Sequence, residues 1–267
     1  MSFTADWFAL REPYDFGARN RDVLAAVAQN VAGQPSISIV DLACGTGSTL
    51  RALAPHLGPR QLWRLVDNDL GLLARAAGSD WPAGISVTTT PVDLSHDLEA
   101  ALDGAVDLVT TSALLDLVSA EWLERFVVEI AARRLPVHAA LTYDGRVVLE
   151  PSHPFDAAVI SRVNRHQRLD KGFGPALGPA AAATAIAQFE GVGYQVVHGA
   201  ADWVFAAHDR QIQSEVLVGW ATAARDLGEL PPQIVDWLTR RRELVAAGVS
   251  TLRVGHVDFF ARPIGAR

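Results

Sequence analysis

A glycine-containing loop directly after a predicted strand is the part of this sequence best suited to chemistry. Residues 36–40 form a predicted buried strand, Asp41 follows at its end, and Gly45 and Gly47 come within the next six residues. Glycine permits a sharp turn and lets a ligand approach the backbone closely. A helix is predicted over 48–54, so its unpaired N–H groups would face the same crevice. This arrangement predicts a cradle for a nucleotide-type cofactor.

The glycine spacing narrows the choice of cofactor. A dinucleotide fingerprint needs a third glycine three residues after the second, and that position is Leu50. A phosphate loop of the NTPase type needs Gly-Lys-Ser/Thr, but the only lysine of the chain is Lys171. The remaining pattern, Asp-x-x-x-Gly-x-Gly, resembles the first motif of class I S-adenosylmethionine-dependent methyltransferases.

Acidic residues after the next two predicted strands extend this resemblance. Asp67 and Asn68 follow the second strand, where a carboxylate about twenty residues beyond a glycine loop is well placed for ribose hydroxyls. Asp93 and Leu94 follow the third strand. In the family, the first acid binds the ribose and its neighbour lies beside the adenine, whereas the later acid accepts from the adenine amino group and its neighbour packs on the ring.

The resemblance therefore implies S-adenosyl-L-methionine as the cofactor, with the methionine half on the backbone of 43–47. The implied cofactor-binding residues are Asp41, Ala43, Cys44, Gly45, Thr46, Gly47, Asp67, Asn68, Asp93, Leu94 and Ser112. Each acid has an alternative interpretation as a strand-end or helix-capping residue, because aspartate favours local hydrogen bonds at turns. Cys44 is interpreted as a small loop residue and not as a nucleophile, since no partner base is marked.

Four residues are candidates for a base or substrate anchor. Asp116 follows the fourth strand where many relatives carry a histidine, and Tyr143 ends the fifth strand. His166 lies in a predicted helix and could serve as a base near neutral pH, as histidine does in general, with a surface or packing histidine as the alternative. His256 and Asp258 share a face of the last strand, so the aspartate could orient the imidazole, or the two could form a structural pair.

Basic residues supply two further possibilities for anion binding. Arg11 or Arg19 in a predicted N-terminal helix could meet a carboxylate, with a surface ion pair as the alternative. A stripe with a spacing of three could clamp a carboxylate or phosphate, or form a solvated helix face. It consists of Arg162, Arg165, Arg168 and Lys171.

Strands alternate with helical patterns over 36–143, which predicts βαβ units and a largely parallel sheet. The resemblance implies an α/β fold with a Rossmann-like, doubly wound sheet of seven strands in the order 3-2-1-4-5-7-6, the last one antiparallel. We predict one domain over 1–267, with an N-terminal helical cap (1–35), a substrate lid (145–178) and an added helical pair (209–247). The predicted strands are 36–40, 62–66, 85–90, 106–112, 137–143, one within 194–205, and 251–261, with a short hairpin strand at 146–150; the main helices are 20–32, 48–54, 119–134, 155–169, 211–227 and 231–246.

Composition limits the classes of protein that fit. The 267 residues are 49% hydrophobic and 20% charged, which excludes a disordered chain. A net charge of −7 argues against a nucleic-acid partner. One cysteine excludes an internal disulfide, and neither a signal peptide nor an apolar run of membrane-spanning length is apparent. We therefore expect a cytoplasmic protein with no membrane partner and no metal site; its oligomeric state stays open, a homodimer included.

These observations predict methyl transfer from S-adenosylmethionine to a small-molecule acceptor by direct in-line displacement, with oxygen, nitrogen and carbon all open as the acceptor atom. Two rivals remain at this point. One is a nicotinamide oxidoreductase on a similar fold, which the missing third glycine disfavours. The other is a non-catalytic S-adenosylmethionine-binding regulator or partner subunit, because no base is certain.

Overall fold

One mixed sheet runs through the residues that the computed structural model describes, which are 4–228 and 233–265. Within those ranges its eight strands are β1 (Ile37–Leu42), β2 (Gln61–Asp67), β3 (Ile85–Pro91), β4 (Leu108–Ser112), β5 (Val137–Glu150), β6 (Tyr194–Ala200), β7 (Trp203–Phe205) and β8 (Thr251–Pro263). Their order is β3-β2-β1-β4-β5-β8-β6, and β7 pairs with β8. Neighbours from β3 to β5 are parallel, and β8 is antiparallel to β5, β6 and β7.

This topology confirms the predicted Rossmann-like fold and its strand order. The sheet has one strand more than predicted, because the segment expected to hold the sixth strand contains both β6 and β7. The antiparallel strand that inserts next to β5 is therefore the eighth.

The described ranges contain ten α-helices. They are α1 (Ala5–Ala18), α2 (Arg21–Asn30), α3 (Ser48–Leu53), α4 (Leu70–Ala77), α5 (Leu98–Ala101), α6 (Ala120–Arg133), α7 (Asp156–His166), α8 (Ala181–Gly191), α9 (Arg210–Asp226) and α10 (Gln233–Ala246). Side-chain oxygens of Asn20, Asp69 and Ser119 accept from the first free N–H groups of α2, α4 and α6, which explains where these helices begin. The start predicted for the last helix, Pro231, lies outside the described residues.

Helices cover both faces of the parallel part of the sheet, as such sheets require. Helices α2, α3 and α4 share one core with β1 and β2, whose members include Val23, Val27, Ile39, Leu50, Trp63 and Leu73. Helices α5, α6 and α8 share a second core on the opposite face, whose members include Leu98, Phe126, Ile130, Phe189 and Phe259. The strand tips are therefore fixed from both sides.

A third core forms around an extension of β5. This strand runs for 14 residues, and after a bulge near Tyr143 its residues from Val147 to Glu150 pair with β8. The separate hairpin strand expected at 146–150 is therefore a continuation of β5. Helices α7, α9 and α10 pack here, and the third core includes Val159, Trp203, Phe205, Leu217, Trp237 and Leu252.

Candidate active site

The loop between β1 and α3 is wound so tightly that it needs its glycines. Gly45 has φ +56° and Gly47 has φ +84°, both in the left-handed region that glycine adopts without strain. A Cβ atom on Gly47 would lie 3.1 Å from the ring of Trp81. Gly47 is also the residue that precedes α3, so the loop leads directly into the helix N-terminus.

Asp67 at the end of β2 holds this loop in place. Its Oδ2 accepts from the backbone N–H of Gly45 at 2.9 Å, and its Oδ1 accepts from the N–H of Asp69 at 3.0 Å. Asn68, between them, is exposed. The carboxylate predicted to bind ribose therefore also supports the loop, and its contact with a ribose stays a prediction.

Asp41 offers a buried and incompletely paired carboxylate beneath the loop. Its Oδ1 accepts from Thr110 Oγ1 at 2.8 Å, whereas Oδ2 has no hydrogen-bond partner among the described residues. Burial raises the pKa of Asp41 to about 7, even though the hydrogen bond from Thr110 and the nearby charge of Arg19 favour the ionised form. A buried anion of this kind suits a cationic partner.

Arg19, between α1 and α2, supplies a buried cation to the same region. Its Nη2 donates to Ser112 Oγ at 3.3 Å, while Nε and Nη1 lack a partner within 4–228 and 233–265. Arg19 as a whole residue is only 7% exposed, so it does not form the surface ion pair considered from the sequence. The amino-acid half of S-adenosylmethionine carries one ammonium and one carboxylate, so the unpaired atoms of Asp41 and Arg19 fit that group.

Helix α1 is fastened over the glycine loop. The ring of Phe8 lies 3.5 Å from where a Cβ on Gly45 would stand. Glu12 forms an ion pair with Arg51 of α3, and Arg51 Nη1 donates to the carbonyl of Thr46 at 2.8 Å. One arginine thus joins α1, the loop and α3.

Cys44 and the two predicted adenine residues have their own local contacts. Cys44 is buried, and burial raises the pKa of its thiol, which keeps it protonated. Asp93 Oδ1 accepts from Ser95 N at 2.9 Å and from Ser95 Oγ at 2.6 Å, and these bonds lower its pKa. Leu94 is a core residue, and its carbonyl accepts from Trp122 Nε1 at 2.6 Å. Asp93 therefore does form the local hydrogen bonds at a turn that were the alternative to adenine binding. Contact of Asp93 or Leu94 with adenine stays a prediction.

Asp116 is the candidate base with a free acceptor atom. It lies in a 3₁₀ turn (Leu115–Leu117) after β4, is 5% exposed, and its Oδ1 has no partner in the described part of the chain. Burial raises its pKa to about 6, opposed by the backbone N–H groups of Asp116 and Tyr143 and by the charges of Arg11 and Lys171. The carboxylate therefore lies just after the end of β4 and beside the bulge of β5 at Tyr143, on the side of the sheet edge where the glycine loop lies.

Tyr143 and His166 are already engaged by neighbours. The hydroxyl of Tyr143 donates to Asn164 Oδ1 at 2.6 Å, and burial raises its pKa. His166 Nδ1 lies 3.3 Å from the Nζ of Lys171, and its Nε2 lies 3.5 Å from a carboxylate oxygen of Asp226. Burial lowers the pKa of His166, so the ring is neutral near pH 7.

Of the two interpretations of His256 and Asp258, the orientation of the imidazole by the aspartate is contradicted, and both side chains have structural contacts with the backbone. Asp258 accepts from the backbone N–H of Leu141 at 2.7 Å and of Asn20 at 2.9 Å, so it supports the bulge of β5 and the start of α2. His256 Nδ1 lies 3.1 Å from the carbonyl oxygen of Val254 instead. Burial lowers the pKa of His256 to about 3, which makes it a poor base.

The basic stripe does not act as one clamp. Arg162 Nε donates to the carbonyl of Ala224 at 3.1 Å, which ties α7 to α9. Arg165 and Arg168 are exposed, and Lys171 turns to His166. Three residues that help to hold the site, Glu12, Arg51 and Asp226, could not be predicted from the sequence, because the residues they pair with lie far along the chain.

Comparison with known proteins agrees with this geometry. Residues 39–136 match the family model described as a methyltransferase domain. The chain is similar in fold to a cyclopropane-fatty-acyl-phospholipid synthase-like protein from Lactobacillus casei (TM-score 0.53, 16% identity, 97% of this chain and 94% of that one). It is also similar to the cyclopropane synthase MmaA2 from Mycobacterium tuberculosis (TM-score 0.50, 11% identity, 97% and 94% covered).

A third similar structure is a putative type II methyltransferase from Anaeromyxobacter dehalogenans (TM-score 0.50, 16% identity, 90% and 95% covered). Among curated proteins, no sequence matches the chain. The matched segment runs from β1 to the residue before β5 and contains every predicted cofactor-binding residue. Residues 39–136 therefore match a methyltransferase domain, and the sheet has the strand order of the class I methyltransferase fold.

No helix in the described ranges is long and apolar enough to cross a membrane.

Proposed function

We propose that this chain is an S-adenosylmethionine-dependent methyltransferase that methylates a hydroxyl or amine of a small molecule by direct in-line displacement, with Asp116 as the proton acceptor. The observation that carries the proposal is the unpaired Oδ1 of Asp116, buried at the tip of β4. A buried carboxylate oxygen without a donor costs free energy, so it favours a ligand that brings an N–H or O–H group.

Residues at the carboxyl ends of β1 to β4, together with Arg19, hold the cofactor in this proposal. Arg19 binds the carboxylate of its methionine half and Asp41 the ammonium, because these are the buried charged groups with unpaired atoms there. The loop backbone from Ala43 to Gly47 and the side chain of Ser112 flank that half. Asp67 and Asn68 take the ribose side, and Asp93 and Leu94 the adenine side.

Asp116 is better suited to remove a proton than the other three candidates. When bound, S-adenosylmethionine supplies a methyl group on a positively charged sulfur, and its transfer to an O–H or N–H acceptor leaves one proton to be removed. Asp116, with a pKa of about 6, is mainly ionised at pH 7 and can take that proton at Oδ1. Tyr143 and His166 already have polar partners, and burial disfavours the charged form of His256.

The covered position of Asp116 favours a small acceptor. Arg11 of α1 and Lys171 of the segment after α7 both act on its charge, so these segments lie near it. We propose that the predicted substrate lid (145–178) acts as one in the part that follows β5, residues 151–178, and that α1 covers the site as part of the predicted N-terminal cap (1–35). The negative net charge of −7 supports an acceptor other than nucleic acid, and a single cysteine supports a cytoplasmic location.

The test is a comparison of Asp116→Asn with the parent protein against a metabolite extract, using S-adenosylmethionine with a labelled methyl group. We expect kcat/KM to fall by about 10²-fold or more, because a positioned general base contributes this much, while cofactor binding by calorimetry stays unchanged. His256→Asn serves as the control and should keep its activity if folded. Full methyl transfer by Asp116→Asn would contradict the role of Asp116.

A further inference from the structure

A row of polar side chains crosses three neighbouring strands beneath the glycine loop. Asp41 of β1 lies opposite Thr110 of β4, and Thr110 lies opposite His138 of β5. Side chains of directly opposed residues point to the same face of a sheet. His138 also lies opposite Phe260 of β8, which belongs to the core shared with α2, α3 and α4. The row therefore lies on the face of the sheet that these helices cover.

His138 is a buried histidine without a polar partner. The residue is 1% exposed, and neither Nδ1 nor Nε2 has a hydrogen-bond partner within residues 4–228 and 233–265. Burial lowers the pKa of His138 to about 3, so the ring is neutral and offers one N–H donor and one acceptor. A buried polar group without a partner costs free energy, so this ring favours a ligand that accepts its N–H.

Arg19 crosses over β5 on the same face of the sheet. The residue after Arg19 donates its backbone N–H to Asp258 of β8 at 2.9 Å, and Arg19 Nη2 donates to Ser112 Oγ of β4 at 3.3 Å. Because β5 lies between β4 and β8, the arginine side chain spans β5. Ser112 lies opposite Ala140, which is two residues beyond His138 and therefore on the same face. Arg19 thus extends over the part of β5 that carries His138.

The unpaired atoms on this face divide into donors and an acceptor. Nε and Nη1 of Arg19 are donors, and the ring of His138 adds one N–H, whereas Oδ2 of Asp41 is an acceptor. The donors therefore lie over β5 and the acceptor lies on β1, with Thr110 between them. Thr110 donates its hydroxyl proton to Oδ1 of Asp41 at 2.8 Å, so it does not serve Oδ2.

The spacing of the row fits a group that carries both charges. Neighbouring strands lie about 4.8 Å apart, so the Cα atoms of Asp41 and His138 are about 10 Å apart. Hydrogen bonds of about 2.9 Å from each side leave a gap a few atoms wide above Thr110. An α-amino acid group has this width, and it carries an ammonium for the acceptor and a carboxylate for the donors.

We infer that His138 is a further cofactor-binding residue, which donates a hydrogen bond to the carboxylate of the methionine half of S-adenosylmethionine beside Arg19. The carboxylate then points towards β5 and the ammonium towards β1. This inference rests on the proposed function, in which Arg19 and Asp41 hold the same half of the cofactor. His138 adds a contact by which the site distinguishes cofactors that carry this carboxylate from those that lack it.

The experiment is a calorimetric titration of the full-length protein with S-adenosylhomocysteine and with its decarboxylated analogue. We expect His138→Phe to bind S-adenosylhomocysteine at least about tenfold more weakly than the parent, because a hydrogen bond to a charged group is lost. The decarboxylated analogue should bind His138→Phe and the parent equally. His138→Gln keeps an N–H donor and should retain most of the affinity. Ser250→Ala removes an unpaired buried hydroxyl beside α9, so it is the matched control and should bind both ligands as the parent does.

Parent-like affinity of His138→Phe for S-adenosylhomocysteine would overturn the inference. An equal loss of affinity for both ligands would do the same, because His138 would then act through packing. Thermal unfolding shows whether each variant keeps its fold, and His138→Ala, which adds no bulk, is a second variant with the same expected result.

The failure of this inference can be told apart from failure of the proposed function. Absence of S-adenosylhomocysteine binding by the parent protein would refute the proposed function and the inference together. Weakened binding by His138→Phe together with full activity of Asp116→Asn would support the role of His138 and overturn only the role of Asp116 as the base.

Discussion

Asp41 is a residue whose charge state should control cofactor binding. Its pKa is raised to about 7 by burial, and an ammonium group favours the ionised form. We therefore expect affinity for S-adenosylhomocysteine, which carries the same amino-acid half, to rise with pH up to about 7 and then level off. Below that value the limiting slope is about tenfold per pH unit. Calorimetry between pH 5.5 and 7.5 measures this pH dependence of the affinity. The range is chosen because an α-amino group loses its proton only above it.

The same residue links stability to pH in the unliganded protein. The folded-state pKa of Asp41 lies above its ordinary value of 3.8, so the unfolded chain releases this proton first as pH rises. The contribution of Asp41 to the free energy of unfolding therefore decreases from about pH 4 to about pH 7. Asp41→Asn should remove both pH dependences, whereas Asp103→Asn, an exposed control, should remove neither. An affinity for S-adenosylhomocysteine that is flat with pH in the parent protein would contradict the assignment.

At the scale of elements, α1 should act on cofactor binding through its ion pair with α3. Glu12→Gln removes the charge that holds Arg51, and Arg51 then also positions Thr46 less well. Because the side chains of Glu12 and Arg51 are partly exposed, we expect the binding free energy of S-adenosylhomocysteine to weaken by only about 0.5–1 kcal/mol, which is about two- to fivefold in affinity. Calorimetric titration with S-adenosylhomocysteine measures the change. Glu121→Gln, in the exposed first turn of α6, is the control, and equal affinities of the two variants would contradict the clamp.

The strands and helices that follow local sequence patterns could be predicted, but the side-chain contacts between residues far apart in the chain could not. The acids at the strand tips follow from the sequence, since parallel strands bring their carboxyl ends to one edge. The pairing of Glu12 with Arg51 spans 39 residues, and no local pattern encodes it. The two-residue spacing of His256 and Asp258 correctly placed them on one face, but Asp258 instead satisfies Leu141 in a bulge that periodicity does not reveal.

For the whole molecule, a buried ion pair ties the third core to the sheet. Arg241 of α10 has a fully buried side chain; its Nε donates to Asp156 Oδ1 at 3.1 Å and its Nη1 to the carbonyl of Pro151 at 2.7 Å. Trp237 Nε1 donates to the same oxygen of Asp156 at 2.8 Å. Asp156 begins α7, so one carboxylate joins α7, α10 and the chain just beyond β5.

Removal of this carboxylate should separate stability from cofactor binding. Asp156→Asn leaves Arg241 buried without a counter-charge, and we expect a loss of about 3–5 kcal/mol in the free energy of unfolding by urea. The nearby surface pair provides the control: Arg240→Met breaks the exposed contact with Glu243 and should cost less than about 1 kcal/mol.

The cofactor residues lie at or just after the ends of β1 to β4 and just after α1, whereas Asp156 joins α7 to α10. Asp156→Asn, while still folded, should therefore bind S-adenosylhomocysteine within about twofold of the parent, because the contacts of Asp156 lie on other elements than the cofactor residues. Loss of cofactor affinity in proportion to the loss of stability would instead mean that the crevice and the third core form one cooperative unit.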